Sequence, residues 1–434
     1  MLLLQLRSER IYQKNGIRYM KKHILIISQY FYPEQFRIND IATEWVKRGY
    51  RVTVLTGIPN YPQGKFYKGY DWFHGRKETW NGMEIIRIPL VARGKSAVGM
   101  AMNYFSFVTS GFFWNIFTGI KADLVFTFEV SPMTQALIGV WYSKKNKIPN
   151  YLYVQDLWPE NVEIVTGIKN PAVIRPIEKM VHYIYKNCDK IFATSPSFVQ
   201  SIQKRISEEP EKVIYWPQYA EDFYHPTEEK SELIPQDGVL NITFTGNIGT
   251  AQGLAILPEA SKLLKEANVK VRFNIVGDGR NKENLIRCIR ENDVEEYFNL
   301  TGWVPAEKIS AILSASDAAF LSFADNPLYS MTIPAKLQSY MACGIPILAS
   351  ACGETKRVIE EAQCGFVSDI GKSKELADTI IHFLSVPTKQ KNEMKRNAMD
   401  YCRIYFDKKK LNDFIESELH LGHSEQVAST FIEY

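Results

Sequence analysis

The stretch from Leu328 to Gly365, LYSMTIPAKLQSYMACGIPILASACGETKRVIEEAQCG, allows few folds. Pro334 suits a first helical position, where a missing N–H costs nothing. Ala335 to Cys343 are mostly good helix formers. Gly344 suits a left-handed turn just past the helix end, and Pro346 stops the helix restarting. Ile345–Ser350 is a short apolar run with turn residues behind it, the pattern of a buried parallel strand. Free N–H groups around residues 332 to 336 open the helix and favour an anion. Ser330 and Thr332 add hydroxyls there, and Lys336 adds a charge one turn in. A diphosphate-sized site is one reading; a plain βαβ connection with a surface lysine is the other.

The same alternation of buried strand, loop and helix runs through the chain. HILIIS (23–28), a helix over about 38–48 and RVTVLT (51–56) make a βαβ unit, the start of a doubly wound domain. EIIRIP, LVFTF, NYLYV, KIFATS and VIYW continue it to residue 216. PQYAEDFYHP (217–226) reads as a crossing, after which NITFT, VRFNIV, FNLTG, AAFLS, IPILAS and GFVSD form a second series. A chain of 434 residues suits two domains. The expected division is a disordered extension over 1–22, domains over 23–216 and 227–399, and a C-terminal helix over 400–420. LLLQL near the start is too short for a signal-peptide core, and Met20 reads as an alternative start.

The formal net charge of +4, without a basic run interleaved with aromatics, gives no case for nucleic acid. Six cysteines without a CxxC pair read as reduced thiols. Chemistry is expected at strand ends, where open α/β sheets place ligands. Glu129 follows LVFTF and Asp156 follows NYLYV. GIPNYPQGKFYKGY (57–70) must be loop and carries Asn60, Tyr61 and Lys65; a rigid structural loop is its other reading. GNIGTAQG (246–253) and VGDGR (276–280) are glycine turns after strands, where backbone can approach a phosphate.

The ordered set GNIG.AQG, VGDG, TGWVP and MACGIPILAS resembles glycosyltransferase family 4, from about His23 to about Phe414. That family holds retaining, nucleotide-sugar-dependent enzymes of the GT-B fold, an α/β architecture of two Rossmann-like doubly wound domains facing a cleft. PxK…Q.Y.ACG.PI is similar to a branch of bacterial O-antigen transferases proposed to move N-acetyl-L-fucosamine. The resemblance implies an N-terminal acceptor-binding domain, a C-terminal nucleotide-sugar-binding domain and a last helix returning to the first. It implies a UDP-sugar donor, a prenyl-diphosphate-linked saccharide acceptor, a role in O-antigen, lipopolysaccharide or other surface-polysaccharide assembly, and no cofactor or metal. Gly246, Asn247, Gln252, Gly277, Arg280, Val304, Ser330, Thr332, Lys336 and Ser339 are the implied donor contacts, with the Val304 main chain reading uracil. Arg37, Asn60, Tyr61 and Lys65 are the acceptor candidates; Arg37 is equally a surface arginine. Asp156 and Glu129 are the catalytic candidates, steering or deprotonating an acceptor hydroxyl, or else capping helices.

The sequence departs from the family in three places. Asn247 and Gln252 stand where relatives have Arg and Lys, so another cation, Lys336 or Arg280, has to meet the donor diphosphate. Met331 and Ser339 replace a glutamate pair, and the histidine that many relatives place near the donor sugar is missing. These losses keep two rivals open, a UDP-sugar 2-epimerase and a non-catalytic partner subunit. Finally, residues 98–120, VGMAMNYFSFVTSGFFWNIFTGI, are aromatic-rich and too polar for a span. With Arg93 and Lys95 before them and Lys121 after, they suggest a peripheral contact with the inner face of the cell membrane, reached from the cytoplasm; a buried helix is the alternative.

Overall fold

The computed structural model describes residues 11–14, 17–20, 22–94 and 96–421. Continuous apolar runs become strands buried on both faces, as parallel sheets require. Within the segment expected to be disordered, strands β1 (Ile11–Lys14) and β2 (Ile17–Met20) pair antiparallel. The rest of that segment before Lys22, like Lys95, lies outside the described residues.

The first sheet holds β3 (His23–Ile27), β4 (Arg51–Gly57), β5 (Lys77–Trp80), β6 (Met83–Ile88), β7 (Leu124–Glu129), β8 (Asn150–Val154), β9 (Lys190–Ala193) and β10 (Val213–Tyr215). Its order is β10-β9-β8-β7-β3-β4-β6-β5. All neighbours are parallel except β5, which folds back antiparallel on β6 as an edge. The second sheet holds β11 (Leu240–Thr245), β12 (Val271–Val276), β13 (Phe298–Gly302), β14 (Ala318–Ser322), β15 (Ile347–Ser350) and β16 (Gly365–Ser368). It is wholly parallel, in the order β13-β12-β11-β14-β15-β16.

The chain divides into two compact units, one per sheet. The first takes residues up to Thr194, Phe198–Tyr215 and the stretch from Glu418; the second takes Ser195–Ser197 and Trp216–Ser417. The single helix expected over 400–420 is instead two, Thr388–Tyr405 and Lys408–Glu418. Only the stretch from Glu418 counts with the first unit, where the Lys190 ammonium donates to the Glu418 carboxylate at 2.7 Å.

Four helices carry or support the candidate site residues: α1 (Arg37–Lys47), α2 (Ala97–Phe117), α3 (Ala136–Asn146) and α4 (Ala335–Ala342). The α2 helix is turned inside out. Its inward face is Asn103, Phe107, Gly111 and Asn115. Asn103 accepts from Gln29 Nε2 at 2.7 Å and donates to the Val91 carbonyl at 2.6 Å. A Cβ at Gly111 would meet Ile138 of α3 at 2.2 Å, so glycine is what lets the two helices touch. Phe105, Phe112, Phe113, Ile116 and Phe117 are left outward, from 44% to 81% exposed. No helix among the described residues is long and apolar enough to cross a membrane.

Candidate functional site

In the second unit, the loops leaving the C-terminal ends of β11 and β12 are packed backbone to backbone. Gly246 N–H donates to the Val276 carbonyl and Ile248 N–H to the Asp278 carbonyl, both at 2.8 Å. Gly277 sits at φ +150°, and a Cβ there would lie 1.9 Å from the Gly246 carbonyl oxygen, so no other residue fits. Gly246, at φ +117°, leaves the space that Lys336 fills: a Cβ there would be 2.8 Å from the lysine Cε. Lys336 reaches in from the second position of α4, its ammonium 3.9 Å from the centre of the Phe244 ring. It has no carboxylate partner among the described residues. Burial lowers its pKa to about 7. The structure thus brings Gly246, Asn247, Gly277 and Lys336 together, with Asn247 and Arg280 exposed at the same end.

Other donor-side candidates are spent internally. Ser330 donates to the Pro327 carbonyl at 2.6 Å, Thr332 to that of Leu328 at 3.1 Å and Ser339 to that of Ala335 at 3.0 Å. This back-bonding is what Ser and Thr do within helical turns, and it corrects the expectation that the three hydroxyls are free to donate. Ser339 is also buried. Thr332 N–H already donates to the Tyr329 carbonyl, which removes one of the N–H groups expected at the start of α4. Gln252 accepts from Gly249 N–H at 2.9 Å and so shapes its own loop. Val304 is half-buried against the core, beside Trp303, which is 72% exposed.

In the first unit, loops after β3, β4, β6, β7 and β8 meet at the C-terminal end of the sheet. Glu129 ends β7 and is completely buried; Asp156 follows β8. Glu129 Oε2 accepts from Asp156 N–H at 3.4 Å, and Asp156 Oδ2 from Ser131 N–H at 2.8 Å. Burial raises both carboxyl pKa values, that of Glu129 well above the ordinary range, with the Asp156 charge adding to it. Glu129 Oε1 has no partner among the described residues. Neither acid caps a helix; the buried Glu129 and the half-buried Asp156 form a pair able to hold a proton.

Around this pair lie Tyr30 and Tyr104, which the sequence did not single out, and Arg93, which it assigned to the membrane contact. The Arg93 guanidinium lies 5.4 Å from the Tyr61 ring centre and 6.0 Å from that of Tyr104, and it donates to the Tyr30 hydroxyl at 3.4 Å. Its charge bears on Asp156. Tyr30 and Phe36 stack at 5.3 Å, with Tyr61 against both. Tyr61 therefore stands at the site, half-buried. Arg37 is half-buried at the first position of α1, near Tyr153, and Lys65 is exposed. Asn60 is a correction: it is wholly buried, accepting from Arg93 N–H at 2.9 Å and donating to the Ile58 carbonyl at 2.8 Å. Its amide builds the loop and does not face a ligand.

Glu34 anchors that loop, one carboxylate oxygen accepting from Asn60 N–H at 2.7 Å and Tyr61 N–H at 2.6 Å. Burial nonetheless pushes its pKa up to about 7, against those hydrogen bonds. Between the ordinary carboxyl pKa and about 7 the folded chain keeps a proton that the unfolded chain has lost. Its stabilising contribution is therefore full at acid pH and is lost as pH rises through about 7. The expected loss is about 3 kcal/mol in total. Urea unfolding of Glu34→Gln as a function of pH should lack that slope; an unchanged slope would assign it elsewhere.

Residues 226–400 match the family model described as "Glycosyl transferases group 1". WcaL of Escherichia coli K12, named for colanic acid biosynthesis, is 24% identical over 183 residues, 42% of this chain and 45% of WcaL. The amylovoran biosynthesis glycosyltransferase AmsK of Erwinia amylovora is 27% identical over 159 residues, covering 35% and 39%. WcaI of Escherichia coli K12, also named for colanic acid biosynthesis, is 25% identical over 351 residues, covering 74% and 81%. The chain thus spans less than half the length of WcaL and AmsK, and most of WcaI. Sucrose-phosphate synthase of Thermosynechococcus elongatus superposes with a TM-score of 0.74 at 14% identity, covering 92% of this chain and 98% of that one. Anabaena HepE, solved with UDP and glucose, gives 0.65 at 16% identity, covering 92% and 99%. Residues 226–400 are thus similar to group 1 glycosyltransferases, and the chain has the GT-B fold of two Rossmann-like units.

Proposed function

We propose that this protein is a retaining glycosyltransferase of polysaccharide assembly, moving a sugar from a UDP-sugar to a prenyl-diphosphate-linked glycan. The observation that carries the reading is Lys336, a desolvated lysine without a carboxylate partner among the described residues, seated against the Gly246 turn. A diphosphate supplies the missing counter-charge. The relatives named for colanic acid and amylovoran, and the UDP in HepE, support the substrate class. In the transfer, an acceptor hydroxyl oxygen bonds to the anomeric carbon as the bond from that carbon to the diphosphate oxygen breaks. The electron pair leaves with UDP, and the hydroxyl proton passes to Asp156. Arg93 and the tyrosines around it suit an anionic, sugar-bearing acceptor.

The test is UDP release from a panel of UDP-sugars, N-acetyl-L-fucosamine first among them, with and without a prenyl-diphosphate saccharide. Release that needs the acceptor is expected. Turnover of the UDP-sugar alone would instead favour the 2-epimerase, and no UDP binding at all would favour a non-catalytic subunit.

The outward face of α2 supports work at a membrane surface beside such an acceptor. Each Phe side chain taken into a bilayer is worth roughly 1.5–3 kcal/mol. Phe105→Asp with Phe113→Asp should abolish flotation with anionic liposomes while UDP binding persists. Wild-type protein that never floats would remove the membrane from this reading.

A further inference from the structure

A cavity of about 650 Å³ opens in the first unit beneath the C-terminal end of α2. His23, Arg51, Arg76, Lys77 and Lys121 line it, and no acidic residue does. It is separate from the acid pair: His23 and Arg51 are the first residues of the parallel strands β3 and β4, at the end of the sheet opposite the one where Glu129 ends β7. His23 is a wall and not a charge. Its Nδ1 lies 2.7 Å from the Lys121 carbonyl and its Nε2 2.8 Å from Thr53 Oγ1, and burial lowers its pKa. Two acids lie near that histidine: Asp123 accepts from its N–H at 2.6 Å, and Glu84, on the same face of β6 as Ile86 and Ile88, acts on its ring without lining the cavity. Arg76 is held by the Trp72 carbonyl at 2.9 Å and Lys121 by Asn146 at 3.2 Å. Arg51 and Lys77 are exposed and have no ion-pair partner among the described residues. Ile86, Ile88, Trp114 and Ile120 supply apolar lining, Thr118 and Gly119 complete the wall, and Phe117, 81% exposed, stands at the rim.

We propose that this cavity takes the phosphate headgroup of an anionic membrane lipid. Phe117 belongs both to the cavity and to the outward aromatic face of α2, so an apolar surface and a cationic hollow are continuous. A free anion has no use for the apolar part, and a neutral lipid has none for four cations. The combination fits a molecule with a charged head and a hydrocarbon tail.

The inference rests on the membrane reading of α2, and one experiment separates the two. Flotation is measured with phosphatidylcholine vesicles and with the same vesicles containing phosphatidylglycerol. Wild type is expected to partition to the anionic vesicles about tenfold or more over the neutral ones. Arg51→Gln with Lys77→Gln should lose that preference and keep the residual binding to neutral vesicles, whereas Phe105→Asp with Phe113→Asp should lose both. If the glutamine pair keeps the full anionic preference, the cavity is not the lipid site although the membrane reading stands. If inorganic phosphate displaces the protein from the anionic vesicles at the ionic strength of a chloride control that does not, the site takes a simple anion and the lipid assignment is wrong. If wild type floats with neither vesicle, both fail.

Discussion

Asp156→Asn is expected to lower the rate of sugar transfer by about 10²–10⁴ with little change in UDP affinity. The substitution is nearly isosteric, and its side-chain oxygen can still accept from Ser131 N–H, which Asp156 Oδ2 does at 2.8 Å. What it removes is the capacity to take a proton. Burial raises the Asp156 pKa, so the free carboxylate forms later on the alkaline side than an exposed aspartate would. The acid limb of kcat/KM should accordingly lie above the ordinary aspartate range and disappear in Asp156→Asn. Glu129 is completely buried, and its carboxylate, which accepts from Asp156 N–H, is a positioning group. Glu129→Gln should therefore change kcat less than Asp156→Asn does. A rate for Asp156→Asn within a few-fold of wild type would move the proton acceptor elsewhere, the leaving diphosphate being the next candidate.

The two sheets were legible because parallel strands buried on both faces leave uninterrupted apolar runs between glycine turns. HILIIS, LVFTF, NYLYV and IPILAS all became interior strands of their sheets. The edge strand β5 was not legible: KETW alternates exposed and half-buried residues and has no apolar core of its own. The close packing of Gly246, Gly277 and Lys336 was partly legible, since glycine turns after strands point to the sheet end. The use of Ser330, Thr332 and Ser339 was not, because a hydroxyl's partner is decided by the local turn and not by the motif. Arg93 and Tyr104 carry no local signal for another reason. One lies in a loop and the other in α2, and they meet Tyr30 and Tyr61 only through the sheet order. The α2 helix shows the limit of periodicity. When the inward face is Asn103, Phe107, Gly111 and Asn115 and the outward face is mostly phenylalanine, apolar spacing does not tell inside from outside.

Lys336→Ala is expected to weaken UDP binding by about 10- to 100-fold near neutral pH, the loss typical of one charge-assisted hydrogen bond. Its pH dependence distinguishes this lysine from a surface cation. In the free protein, burial holds the Lys336 pKa at about 7, so above that pH the amine is mostly neutral. A bound diphosphate favours the ammonium and raises the pKa again. Below about 7 the charge is already present, and above it each binding event must first add a proton. UDP affinity should therefore fall as pH rises through about 7 and onward, approaching tenfold per pH unit. Calorimetry in two buffers of different ionisation enthalpy should show uptake approaching one proton above that pH. Lys336→Ala should show neither the uptake nor the slope. Lys336→Arg should bind with little pH dependence, since arginine stays charged. Arg280 is the other candidate cation and is exposed at the same end of the sheet. Binding in the wild type that is independent of pH, with no proton uptake, would therefore transfer the diphosphate from Lys336 to Arg280.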